Sequence, residues 1–294
     1  MQHVCPSDER YIVIKHQYRD IIMTKHEILR NSLFSYPFIL AYCFASLFIN
    51  GAQAKEQTDK WQMDVGAGQL AIDTPWHGYD IQTMSLPYFN ARKGAWRIGP
   101  KYGLVQYAFL YGAEFEATMG LSFRDETYDS SLIFSDELSD DEVFTNYKDG
   151  KGELTFRTQL QYKQLFLRLA QDVSNHSQGL TLLAQYRLPI YGKGLGLQLS
   201  ADLGLYWQDE KYTQYLYGIS KKNIAPEYGR YAYQTRSAIN PFTALNLAYI
   251  YNEHWSIQAT YRIETLDSTI KKSPLVADSA KQQLAVFVNY RFEK

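Results

Sequence analysis

The sequence predicts an all-β chain that crosses a membrane as a transmembrane antiparallel up-and-down β-barrel of twelve strands, with ten as the fallback, and three observations carry that reading. The first is a period of two. Leu195, Leu197, Leu199, Ala201, Leu203, Leu205 and Trp207 alternate with Gly196, Gln198, Ser200, Asp202, Gly204, Tyr206 and Gln208. A helix cannot segregate such a pattern, whereas a strand sends successive side chains to opposite faces. The second is length: soluble strands typically run about 5–6 residues, and a tilted strand crossing a bilayer needs about 9–11. The third is recurrence. The same alternation returns in 154–162, in 255–264 and at the C-terminus in Leu284, Val286, Val288, Tyr290 and Phe292, the strand expected to guide barrel assembly. Open sheet edges cannot sit in hydrocarbon, so many such strands imply closure.

The first 54 residues read differently. Residues 1–22 are polar and aperiodic; after Met23 come Lys25 and Arg30, an apolar run from Leu33 to Ile49, and Ala52-Gln53-Ala54. A basic start, an apolar middle and small residues at the end make a secretory signal peptide over 23–54, cleaved after Ala54. The competing reading is a transmembrane anchor, against which Pro37, Asn50 and the Ala-x-Ala ending count. Starting at Met23 gives a conventional signal, which leaves 1–22 as an upstream extension. Cys5 and Cys43 both precede the cut, so the exported chain would lack disulfides, thiolate metal ligands and cysteine nucleophiles. It would carry 25 basic and 27 acidic residues, no footprint for nucleic acid.

Residues 55–294 read as one barrel domain. A mean hydropathy of −0.36 suits a barrel, in which every other residue faces water or the lumen. The 25 tyrosines and 5 tryptophans suit aromatic girdles at the bilayer surfaces, although a soluble β-sandwich could also be tyrosine-rich. Strands are expected near 61–72, 79–90, 95–103, 104–112, 113–124, 151–162, 164–173, 178–189, 195–208, 240–251, 255–265 and 281–292. The count is softest at Gly99-Pro100, Gly103 and Gly112, which can mark turns or bulges. Connections alternate between tight ones, such as Lys163 and 252–254, and long ones, such as 125–150 and 209–239. With both termini periplasmic by convention, the two long segments follow strands five and nine and fall on the same, outer side.

Several segments resemble the MipA/OmpV family of outer-membrane proteins. They are Trp61 to Phe89 with its Val65-Gly66-Ala67-Gly68, Gly78-Tyr79-Asp80 and Leu86-Pro87-Tyr88-Phe89; Tyr215 to Ser220; Asp267 with Ser273-Pro274-Leu275-Val276; and the closing Asn289-Tyr290-Arg291-Phe292. Their order and spacing carry the likeness. A long acidic segment after strand five and the terminal Glu293-Lys294 depart from it. The resemblance implies an outer-membrane barrel that scaffolds murein metabolism, bringing a lytic transglycosylase together with a peptidoglycan synthase. A narrow channel or small-molecule entry protein is the alternative; an adhesin or a lipid-modifying barrel enzyme is more distant.

No catalytic constellation, metal site or cofactor is expected. The exported part offers only His77, His176 and His254, and no nucleophile elbow, His-Glu-x-x-His or Walker loop. The cluster Asp136, Glu137, Asp140, Asp141 and Glu142 could collect divalent cations but lacks calcium-loop spacing, and reads better as a solvated loop. By alternation, Glu153, Arg157, Asp202, Arg262 and Glu264 face the lumen, their mixed signs suggesting salt-bridged filling. Tyr212, Tyr215, Tyr217, Tyr228, Tyr231 and Tyr233 form either a recognition surface or the packing of a barrel mouth. Outer-membrane lipid is the expected surrounding of the other face. N-terminal sequencing of the chain extracted from cell envelopes is expected to begin at Lys55, and Ala54→Arg to leave the precursor unprocessed; a wild-type N-terminus retaining 33–49 would instead establish an anchor.

Overall fold

The computed structural model describes residues 60–79, 81–128 and 141–293. The expectations placed on the extension and signal peptide, including Ala52 and Ala54, on both cysteines, and on Asp80, Asp136, Glu137 and Asp140 lie outside the described residues.

Twelve strands follow in chain order: β1 (Gln62–Asp73), β2 (Gln82–Lys93), β3 (Trp96–Ile98), β4 (Val105–Tyr111), β5 (Phe115–Arg124), β6 (Glu153–Tyr162), β7 (Leu165–Asp172), β8 (Leu180–Tyr191), β9 (Gly196–Gln208), β10 (Ala238–Ile250), β11 (Trp255–Thr265) and β12 (Ala280–Glu293). Each pairs antiparallel with its sequence neighbour, and β12 returns to β1 in a register running from Gln62 opposite Glu293 to Asp73 opposite Gln282. The barrel is therefore closed at twelve strands, not ten.

The period-two pattern becomes the two sides of the wall. On β9, Leu197, Leu203 and Leu205 are exposed on the outside, while Asp202 and Gln208 are buried on the inside. On β12, Leu284, Val286, Val288 and Phe292 face outward. Tyr290 shares their parity but is half-covered, with Trp255 edge-on at 4.9 Å, Phe292 at 4.6 Å and the His254 ring stacked at 5.4 Å. This aromatic cluster lies at the rim that holds the chain termini. So much outward apolar surface would drive a water-soluble protein to associate; hydrocarbon accepts it.

The inner face is uneven. Across β12, β1 and β2 it mixes apolar and polar side chains, with Tyr88 against Phe287 at 5.4 Å. Gly68 makes room for that packing: a Cβ there would stand 2.4 Å from the Phe287 ring. The rest of the inner wall is polar and charged.

One expected strand is cut short. The region 95–103 holds only the three residues of β3, because Pro100 has no N–H to give the ladder and Gly99, at φ +116°, turns the chain into a single 3-10 turn over Pro100–Tyr102. Gly103, at φ +94°, then redirects it into β4. The wall between β2 and β5 is correspondingly low.

Connections on the terminus side are short: 94–95, 112–114, 163–164, 192–195 and 251–254. On the opposite side they are longer: 74–81, 99–104, 125–152, 173–179, 209–237 and 266–279. The segment expected as one long loop over 209–239 contains helix α1 (Glu210–Tyr217), started by Asp209, whose carboxylate accepts the Tyr212 N–H at 2.8 Å. A second short helix, α2 (Ser268–Lys271), is started the same way by Asp267, which accepts from Thr269 N at 2.9 Å.

The two faces respond differently to charge. Val286→Arg, on the lipid side, is expected to lower folding stability by about 2–4 kcal/mol. Gln283→Arg, facing the lumen, should lower it far less; urea titration of the barrel refolded into lipid vesicles measures both.

Candidate functional site in the capped lumen

The long loops fold over one mouth of the barrel as a cap with its own core. Trp76 from the β1–β2 loop, Tyr128, Val143 and Phe144 from the β5–β6 loop, Tyr212, Leu216, Tyr217 and Ile219 around α1, and Leu266, Ile270, Leu275 and Val276 from the β11–β12 loop pack together and are buried. Trp76 stacks on Tyr217 at 5.0 Å and pairs its backbone with Val276. Tyr128 stacks on Phe144 at 3.6 Å.

Polar groups lock the loops to one another. Ser273 Oγ donates to the Tyr217 carbonyl at 2.7 Å. The buried Arg230 guanidinium donates to the carbonyls of Asn223 and Thr145, both at 2.9 Å, and to that of Val143, tying the β9–β10 loop to the β5–β6 loop. A buried charge is held this way by satisfying its donors with carbonyl oxygens. The segments that carry the sequence resemblance, 215–220, Asp267 and 273–276, converge in this cap.

The six singled-out tyrosines divide by environment. Tyr212 and Tyr217 are in the cap core, and burial pushes both phenols above their ordinary pKa. Tyr215 and Tyr233 pack against that core, with Tyr215 Oη donating to the Lys151 carbonyl at 3.0 Å and Tyr233 Oη to the Thr269 carbonyl at 2.8 Å. Tyr228 lies near the Arg230 guanidinium, at 5.6 Å, and Tyr231 is 61% exposed.

Beneath the cap the lumen holds two cavities. The upper, of ≈ 470 Å³, is lined by residues that include Trp76, Arg124, Glu126, Arg157, Glu264 and Lys281. The lower, of ≈ 480 Å³, is lined by residues that include Lys101, Glu116, Gln159, Arg187, Asp202 and Asn246. Arg168 and Arg262 line both and stand between them.

The singled-out charges sit on this inner wall. Asp202 receives a two-pronged contact from Arg187, at 2.7 Å on each oxygen, and a third hydrogen bond from Asn246 at 2.8 Å. Glu264 accepts from Arg262 at 2.6 Å and from Asn240 at 2.9 Å, while the Arg262 guanidinium lies 3.6 Å from the centre of the Phe242 ring. Glu153 accepts from Arg124 and Ser177. Arg157 faces the same space without a carboxylate partner among the described residues. Arg124, Arg168, Arg187 and Lys281 were not singled out, yet Arg168 and Arg187 share the inward parity of their strands and could have been found by the alternation that found Arg157. Glu126 and Arg230 sit in loops, where no period exists to betray them.

The histidines are dispersed. His77 Nδ1 lies 3.7 Å from Asp141 in the cap, His176 Nδ1 lies 2.8 Å from the Gly152 carbonyl, and His254 is at the other rim. Asp141, from the acidic cluster, accepts the Val143 N–H and starts a 3-10 turn.

A closed antiparallel barrel with an apolar outside, an aromatic rim and a charged lumen is the architecture of an outer-membrane β-barrel protein. A sequence model of the family described as MltA-interacting protein MipA matches residues 65–292, and the chain belongs to that family. The MltA-interacting protein of Escherichia coli K12 is 27% identical over 240 residues, 79% of this chain and 90% of its own. The 24 kDa outer membrane protein of Pasteurella multocida is 31% identical over 96 residues, 33% of this chain and 37% of its own. The putative outer membrane protein YiaT of Escherichia coli K12 is 21% identical over 250 residues, 85% and 96%. Among solved structures, the outer membrane protein OprD of Pseudomonas aeruginosa aligns at a TM-score of 0.31 and 9% identity, covering 83% of this chain and 96% of its own, a score too low to add to the strand pairing. The protein is an outer-membrane protein.

Glu126 helps tie the cap to the barrel wall. Glu126 accepts from Lys281 and from Tyr206 Oη, each at 3.1 Å. Burial would raise its pKa, but the nearby Lys281 and Arg124 outweigh it and bring the carboxyl from its ordinary 4.5 to about 2. The stability this group contributes is therefore complete above pH ~4.5 and lost as pH falls towards ~2. Glu126→Gln is expected to destabilise the detergent-refolded protein at pH 7, and the difference from wild type, read as thermal midpoints, should shrink over that acid window.

Proposed function

We propose that this barrel works in murein metabolism as a binding scaffold and not as an enzyme, bringing a lytic transglycosylase together with a peptidoglycan synthase while its outer face is solvated by outer-membrane lipid. The observation that carries the reading is family membership over residues 65–292, with a relative named for interaction with MltA matched along 90% of its length. The geometry is compatible with binding and gives catalysis little support. Glu126, Glu153 and Glu264 beneath the cap are engaged in ion pairs, and the histidines are spread between cap and rim.

The partner surface, on this reading, is the rim that holds the termini, which faces the periplasm by the convention for even-stranded barrels. Its turns are short, so recognition rests on a flat mosaic and not on a projecting loop. The exposed Lys163 and Glu114, paired at 3.2 Å, and the exposed Lys193 and Glu253 stand on its turns, Glu253 beside the aromatic cluster of His254, Trp255 and Tyr290. The alternative of a narrow channel draws on the two cavities, but the packed cap over the upper one weighs against free passage.

Affinity capture from detergent-solubilised envelopes, with the refolded chain as bait and an unrelated barrel of similar size as control, is expected to recover a transglycosylase and a murein synthase specifically. The double variant Lys163→Glu/Lys193→Glu should recover at least tenfold less of both. Recovery equal to the control would reject the scaffold, and a steady conductance in planar bilayers would then favour the channel.

A further inference from the structure

Six cations of the lumen are matched by carboxylates among the described residues. Arg97 pairs with Glu116, Arg124 with Glu153, Arg187 with Asp202, Arg262 with Glu264, Arg291 with Asp64 and Lys281 with Glu126. Arg157 and Arg168 have no carboxylate among the described residues. They stand on adjacent strands, Arg157 opposite Ala170 and Arg168 opposite Gln159, which makes them inward diagonal neighbours about 7–8 Å apart at the backbone.

Each is arranged to present its guanidinium to open space. Gln159 Oε1 accepts Arg168 Nε at 2.8 Å, and the Gln159 amide is itself fixed by donating to Gln106 at 2.7 Å, so the Arg168 head is aimed and its two Nη groups are left over. Arg157 Nε is buried with no hydrogen-bond partner. Gly103 adds room beside it: a Cβ there would stand 3.1 Å from Arg157 Nη1. Both arginines line the upper cavity, and Arg168 also lines the lower.

Two unneutralised guanidiniums on one partly desolvated wall repel each other, and an unsatisfied buried donor adds its own cost. An anion between them would remove both penalties, and a planar fork of N–H donors matches the two oxygens of a carboxylate or phosphate. We propose that Arg157 and Arg168 form a binding site for a compact oxyanion, phosphate or carboxylate, at the junction of the two lumenal cavities. The site is independent of the scaffold reading, since it faces the lumen and not the rim.

The test is calorimetric titration of the full exported chain, refolded in detergent, with inorganic phosphate and separately with succinate. Saturable one-site binding of at least one of them is expected. Phosphate alone would assign a phosphoryl ligand, succinate alone a carboxylate, and competition between the two a general oxyanion site. Arg157→Gln and Arg168→Gln should each weaken binding at least tenfold, while Arg97→Gln, at the rim-side pair, should leave it unchanged. Arg157→Lys and Arg168→Lys keep the charge and guard against misfolding; they should retain binding but weaken it severalfold through loss of the fork. Absence of saturable binding of either anion to the folded wild type, or binding unaltered by the glutamine variants, would overturn the proposal.

Discussion

Hydrocarbon offers no partner to a peptide N–H or carbonyl, and nearly everything in this structure answers to that constraint. Strands that cross a bilayer must pair on both edges, so the first and last must meet, and β12 meets β1 over the whole length of β1. Once the wall is closed, its two sides are chemically independent. The outside is selected for lipid, and the inside becomes a separate compartment whose polar groups must satisfy one another. The exception proves instructive at β3, where Gly99 and Pro100 interrupt the ladder and the wall drops to a three-residue strand.

Inside, the compartment is organised by ion pairs and by aromatic packing. Ion pairs run round the lumen, from Arg97 on β3 to Arg291 on β12, in a medium less polar than water, where a matched pair is tolerated and an unmatched charge is costly. On β12, β1 and β2 the Arg291–Asp64 pair stands beside an apolar patch, in which Phe287 packs on Tyr88 over Gly68. The lumen is thus not a uniform pore but two cavities with Arg168 and Arg262 between them.

The barrel was legible in the sequence because a single rule, alternation, operates at every strand. It located the faces of β9, β11 and β12 residue by residue, and it placed Glu153, Arg157, Asp202, Arg262 and Glu264 on one parity. Strand ends were less legible, since Gly and Pro can mark either a bulge or a stop, and only pairing partners decide between them. The contacts that build the cap were not legible. Trp76 meets Val276 and Arg230 meets Thr145 across long stretches of chain, and no local pattern announces such meetings. The tyrosine-rich stretch gave a partial signal: its composition was visible, but whether Tyr212 faces water or a core depends on Asp209 starting a helix that turns it inward.

The way the cap is assembled from four separate loops also imposes an order in time. Its core cannot exist until residues 76, 128, 143–144, 212–219 and 266–276 have been brought to one end of the molecule, and only completion of the last hairpin does that. Contacts between segments so distant along the chain carry a large entropic cost until the intervening strands are in place. The lid can therefore close only once the wall that gathers its loops is in place. Whatever the lumen is to retain must be inside by then or must wait for the lid to loosen.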